Sequence, residues 1–221
     1  MNAYEHNQPN IASEAVLSGT YGPFQDNHAL KVILSTGLIL SAMLILFSLL
    51  ARQLTPAIIL AEPQHQITLL LRAIYVTGLI VNFACLPFYC LWINRSCKNA
   101  WLLNPPKMRV TPGGAVGYYF IPIVALWKPY ANMIEIRNAS FGMRSNLTSI
   151  IPAWWLSWLA LLMLNTAQLA GGYAANPEIS AISDKISSVS AIAIITLNYL
   201  SITVILSITA AQQKRAAEMQ R

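Results

Sequence analysis

Charge is what this chain has least of. Fourteen bases and eight acids make up 10% of its 221 residues, against an apolar fraction of 56%. A soluble domain carries about a quarter charged residues. Too little polar surface remains to clothe a water-soluble globule, so lipid is expected to cover the rest. Acids are sparsest of all: between Glu62 and Glu178 there is one, Glu135, beside eight bases. Only three cysteines are present, Cys85, Cys90 and Cys97. They form no CxxC pair and leave an odd count, which argues against a metal quartet or a disulfide framework and for reduced packing residues. Histidines number three, His6, His28 and His65, with no i, i+4 pair among them, so haem or metal ligation within a membrane is not expected. HExxH, GxSxG and P-loop patterns are absent. The Thr111-Pro112-Gly113-Gly114 stretch lacks the Lys-Ser/Thr of a phosphate cradle and reads as a place where the backbone turns. Neither an enzyme nor a cofactor is expected.

What the chain does have is long apolar runs. Residues 32–51 are twenty uncharged positions between Lys31 and Arg52, and as a helix they reach about 30 Å, the thickness of a hydrocarbon core. Three more runs, 73–94, 150–170 and 187–211, share this character, with Pro87 expected to kink the second and Gly171-Gly172 to stop the third. All four are too long and too uniformly apolar for strands of a soluble sheet or an outer-membrane barrel. The expected class is all-α, a polytopic membrane bundle. Residues 1–30 are polar, contain Glu5, Glu14 and Asp26, and read as a flexible tail rather than a cleavable signal peptide. Residues 212–221 read as a basic cytoplasmic tail.

The ambiguous stretch is 110–127, which holds Pro112, Gly113, Gly114, Gly117 and Pro122. If it does not cross and both termini are cytoplasmic, eleven bases fall on the inner side and three (Arg52, Arg72, Lys185) on the outer. If it crosses, the split is six against eight. The positive-inside rule selects four spans, with 110–127 as a re-entrant or interfacial segment broken by its Pro and Gly residues, in a bacterial cytoplasmic membrane. All six tryptophans, Trp92, Trp101, Trp127, Trp154, Trp155 and Trp158, then fall at or near one interface. Residues 129–140 read as a short interfacial helix, with Tyr130, Met133, Ile134 and Arg137 on a membrane-facing side and Asn132, Glu135 and Asn138 elsewhere. The N-x-S/T triplets at Asn94, Asn138 and Asn146 fall on the same side and are discounted as glycosylation sites.

The end of the second run, Tyr89-Cys90-Leu91-Trp92-Ile93-Asn94-Arg95 with Lys98-Asn99-Ala100, resembles the aromatic-Cys-x-Trp pattern and basic turn of the bacterial DUF4328 family of multi-pass membrane proteins. Thr111-Pro112-Gly113-Gly114-Ala115-Val116-Gly117-Tyr118-Tyr119-Phe120-Ile121-Pro122 is similar to its sPgwAvgwwFiP core, and Leu126–Tyr130, Met133–Ile136, Ala139-Ser140 and Trp154-Trp155-Leu156-Ser157-Trp158 continue the likeness. Gly114 departs from the usual aromatic, and Tyr118-Tyr119 replace a Trp pair. The likeness extends roughly over 30–211 and implies a multi-pass membrane fold without an assigned activity.

Two readings attach to each conspicuous polar residue. Glu135 is an ion-pair anchor, with Arg137 beside it or with Arg95 or Lys98 of the basic turn; the sharper alternative is a proton- or cation-handling carboxylate. Arg95, Lys98, Lys107 and Arg109, with Trp127, Lys128 and Tyr130, form a candidate interface for lipid headgroups or a partner protein; the plainer reading is that the bases only set topology. Asn82, Asn165, Gln168 and Asn198 lie within spans and are expected to bond across helices; the sharper alternative is a substrate site between helices, for which no charged partner accompanies them. The function these features favour is a non-enzymatic membrane subunit or scaffold. Its partners would be membrane lipids and another membrane protein, with no nucleic acid. The alternative is a small transporter or channel lined by the broken central segment.

Overall fold

The computed structural model describes residues 18–54, 66–142, 150–171 and 177–221. Expectations that rested on 1–17, His65, Asn146 and Gly172 lie outside the described residues. Among them are six helices: α1 (His28–Leu54), α2 (Gln66–Leu103), α3 (Pro112–Gly117), α4 (Lys128–Phe141), α5 (Ile150–Gly171) and α6 (Pro177–Met219). A two-residue antiparallel pairing, β1 (Ser18–Gly19) with β2 (Gly22–Pro23), precedes α1. Four helices, α1, α2, α5 and α6, are long and apolar enough to cross a membrane. Their outer faces bear large apolar side chains in the open, among them Phe83 at 71% and Met163 at 73% exposure. Such a surface suits contact with lipid.

Helices α1, α2 and α6 extend beyond the expected runs at both ends. α2 does not stop at Asn94 but continues through Arg95 to Leu103, and ends where Asn104-Pro105 denies it further helix. It also passes through Pro87 as one continuous helix. α6 extends beyond its expected run on both sides, starting on Pro177, which has no amide to lose at a helix start, and running through 212–219. The expected basic tail is therefore largely helix, and its Gln212 and Ala216 are buried.

Residues 110–127 fold as three short pieces. α3 starts at Thr111, whose hydroxyl accepts from the Gly114 amide at 3.1 Å, with Pro112 in the first turn. Two 3₁₀ turns, Tyr118–Phe120 and Val124–Leu126, flank Pro122. The longest piece has six residues and spans about 9 Å, a third of a bilayer core. α4 follows, closed by Gly142 at φ +71°, a left-handed cap that favours glycine.

The chain divides into two compact units. One comprises 32–89 and 149–205. Its core centres on Ile45, Ala191 and Ile194, with Leu49, Tyr75, Leu79 and Leu161 packed around them. α1 and α2 approach closely there: a methyl group on Gly37 would stand 2.6 Å from Cys85 Sγ, and one on Gly78 would meet Ile45 and the Ser41 carbonyl. Asn82 donates to Ser41 Oγ (3.2 Å) and to Asn198 Oδ1 (2.9 Å), while Asn198 donates to the Leu38 carbonyl (3.3 Å). These two in-span amides bond across helices as expected. Asn165 is exposed and Gln168 half-buried.

Candidate functional site

The second unit comprises 1–31, 90–148 and 206–221, and contains every residue of the candidate interface. Its interior holds a polar network among apolar side chains such as Trp92, Ile93, Met133 and Ile136. Gln212, 1% exposed, donates from Nε2 to the Ser96 carbonyl (2.8 Å) and to Ser140 Oγ (2.9 Å), and its Oε1 accepts from Asn99 Nδ2 (3.2 Å). One amide thus ties α6 to α2 and α4. Asn99 also clasps the main chain of Gln25: its Oδ1 accepts from the Gln25 amide (2.9 Å) and its Nδ2 donates to the Gln25 carbonyl (2.8 Å). The strap 25–27 is held further by Asn27 Nδ2 donating to Ser96 Oγ (3.1 Å) and Gln213 donating to Asp26 Oδ1 (2.9 Å). Asp26 also accepts from the His28 amide at the start of α1. The hydrogen bond from Gln213, then those local contacts, hold its carboxyl below the ordinary carboxylate value.

The helix ends in this unit are closed by basic side chains. Arg215 donates to the Ala139 carbonyl of α4 and to the Leu103 carbonyl of α2 (3.0 Å), at the negative ends of both helices. Lys107 Nζ donates to the Gly142 carbonyl (3.0 Å). Indole groups act as internal pins: Trp92 Nε1 donates to Thr209 Oγ1 (3.1 Å) and Trp101 Nε1 to the Val110 carbonyl (2.8 Å). Tyr21 meets the Trp101 ring edge-on at 5.5 Å. In the other unit Trp154 donates to Ser201 Oγ, and Trp155 stacks on Trp158 at 4.8 Å. Of the six tryptophans, Trp92, Trp154 and Trp155 are enclosed by protein, and Trp127 is the strongly exposed one, at 49%. Burial with a satisfied N–H gives a stronger constraint than a seat at an interface.

α4 also departs from expectation. Its buried residues include Asn132, Met133, Ile136, Arg137, Ala139 and Ser140, which at i, i+3, i+4 spacing share one broad face of the helix. Met133 and Arg137, expected on a membrane-facing side, belong to that protein-packed face, while Tyr130 and Ile134 are half-buried. Glu135 is expected from the sequence to ion-pair with Arg137, or with Arg95 or Lys98; the partners identified for it are instead main-chain amides, Oε2 accepting from those of Arg109 (3.0 Å) and Val110 (3.1 Å). Arg137 is buried with its guanidinium 5.4 Å from the Phe141 ring, and burial lowers its pKa.

The predicted interface residues are brought into one unit but divide by exposure. Lys107, Arg109, Trp127 and Lys128 are exposed; Arg95, Lys98 and Tyr130 are partly covered. Arg95 reaches the Asp26 carbonyl (3.5 Å), and Lys128 lies over the Tyr118 ring at 5.7 Å. Beside these bases the broken segment exposes Phe120 (73%), Ile121, Ile123 (71%) and Leu126. Of its breakers, Pro112 is buried, Gly114 half-buried, and Gly113, Gly117 and Pro122 exposed. Sequence reasoning missed Gln25, Asn27, Ser96, Asn99, Ser140, Gln212 and Arg215. The available signal was an amide recurring at Asn99 and Gln212 just beyond apolar runs, where plain solvent exposure was the simpler reading.

No curated protein and no solved structure matches this chain. A family model described as a domain of unknown function, DUF4328, matches residues 66–210, from α2 into α6 with the whole central segment between them. The chain belongs to the DUF4328 family.

Proposed function

We propose that this protein is a non-enzymatic subunit or scaffold of a bacterial cytoplasmic membrane, with both termini cytoplasmic, that presents a basic and aromatic surface to lipid or to a membrane partner. The observation that carries this reading is the contrast within one unit. Asn99, Ser140 and Gln212 are engaged with one another in the interior, while Lys107, Arg109, Trp127 and Lys128 stand exposed beside Phe120, Ile121 and Ile123. The inner polar groups build the platform, and the outer bases and apolar side chains are the part left to contact something else. Four apolar helices supply the anchorage.

Purification of the full chain in mild detergent tests this. A stoichiometric membrane protein or a retained anionic lipid that is lost when Lys107, Arg109 and Lys128 are changed to Gln supports the scaffold. Proteoliposomes that release entrapped ions in proportion to protein content would replace it with a pathway through the membrane.

A further inference from the structure

We infer that α4 and the broken segment before it form a docking face for the anionic phospholipid headgroups of the surrounding bilayer, taking several neighbouring headgroups in a row rather than one ligand in a pocket. The inference rests on the scaffold reading and names the partner of its exposed surface. Three exposed bases are strung along α4 by their contacts. Lys128 is its first residue. The backbone of Arg109 is fixed beside Glu135, seven residues on, by the bond from its amide. Lys107 reaches the Gly142 carbonyl, seven residues further. At 1.5 Å per residue these marks are about 10 Å apart along the helix, comparable to the spacing of adjacent headgroups and too wide for three bases to share one phosphate.

Charge and shape both favour a lipid surface. Residues 63–177 contain a single acid, Glu135, held by the amides of Arg109 and Val110; its one negative charge offsets only part of the row of three bases, which stays positive. Next to Lys128, the exposed Phe120, Ile121, Ile123, Leu126 and Trp127 offer an apolar edge of the kind that enters the boundary between headgroup and acyl chain. A soluble phosphate would use the bases and gain nothing from that edge.

Native mass spectrometry of the full chain, titrated with palmitoyl-oleoyl phosphatidylglycerol or phosphatidylcholine, reads this out. Wild type is expected to prefer phosphatidylglycerol about five-fold at each basic position. The ratio should approach unity in Lys107→Gln/Arg109→Gln/Lys128→Gln, and glycerol phosphate should not compete. Arg109→Gln alone guards against misfolding, because the bond to Glu135 comes from the residue's amide and survives the substitution; it should weaken one phosphatidylglycerol adduct about five-fold while others persist. Equal retention of the two lipids by wild type, a preference unchanged in the folded triple variant, or competition by glycerol phosphate overturns the inference. Ion leakage from proteoliposomes bears instead on the scaffold reading, so the two can fail separately.

Discussion

Asn99 and Gln212 lie 113 positions apart in the chain, yet the amide of one donates to the carbonyl of the other inside a buried site, at 3.2 Å. Through this pair the end of α2 is joined to the end of α6, and Gln212 adds Ser140 of α4. Gln212→Leu removes three hydrogen bonds and leaves the Ser96 carbonyl without this donor, at an expected cost of about 2–3 kcal/mol. Gln212→Glu has nearly the same shape but no amide donor, and places a carboxylate against a carbonyl. It should be at least as damaging. Thermal loss of monodispersity in detergent, followed by fluorescence-detected size exclusion, measures both.

The tight approach of α1 and α2 predicts a compensating pair. Gly37→Ala drives its new methyl group toward Cys85 Sγ, and overpacking of this kind costs about 1–3 kcal/mol. Removing the sulfur with Cys85→Ala should restore much of the folded yield of Gly37→Ala. A double variant no better than Gly37→Ala would refute the contact. Gly78→Val should have no such single remedy, because the added carbon meets Ile45, Leu44 and the Ser41 carbonyl together.

Asp26 gives the strap an acid limit. Its pKa in the folded protein lies below the ordinary 3.8, so its contribution is complete above that value and is lost as pH falls through the folded pKa. Wild type should lose protection of the strap only in strong acid, read by hydrogen exchange at the Gln25 and His28 amides. Asp26→Asn should flatten that dependence and lower protection at neutral pH.

Arg215 joins two helix ends through separate donors. Lys carries a compact ammonium and cannot present a planar fork to both carbonyls. Arg215→Lys is expected to destabilise by about 1–2 kcal/mol, and Arg215→Ala by more, measured as the same detergent melting temperature.

Reporter tags inserted after Arg109 and after Trp127 should face the same compartment, because no helix between them exceeds six residues. Opposite faces would overturn the four-span arrangement and with it the count of eleven inner bases.

The long helices were legible because lipid imposes a simple demand: an unbroken apolar run long enough to span it. The break at 110–127 was equally plain in Pro112, Gly113, Gly114, Gly117 and Pro122. Helix ends were less so, since Arg95 and Lys98 suggest an exit from the membrane while the backbone stays helical until Asn104-Pro105. The interior of the unit holding the candidate site was hidden for a different reason. Ser96, Asn99 and Gln212 are unremarkable residues at a predicted membrane boundary, and only their convergence from two distant stretches of chain, with Ser140 from a third, makes them a core. Glu135 shows why: its isolation among bases pointed to an ion pair, but the donors it meets are main-chain amides, which carry no residue-type signal and so could not be foreseen.

The clasp between Asn99 and Gln25 touches only what every ordinary residue shares, one N–H and one C=O. Position 25 is therefore free to drift in chemistry, with proline alone forbidden for want of a hydrogen to offer. Position 99 has no such latitude: a longer glutamine would overshoot and an aspartate could only accept. Related chains should vary at the first site and hold the second fixed.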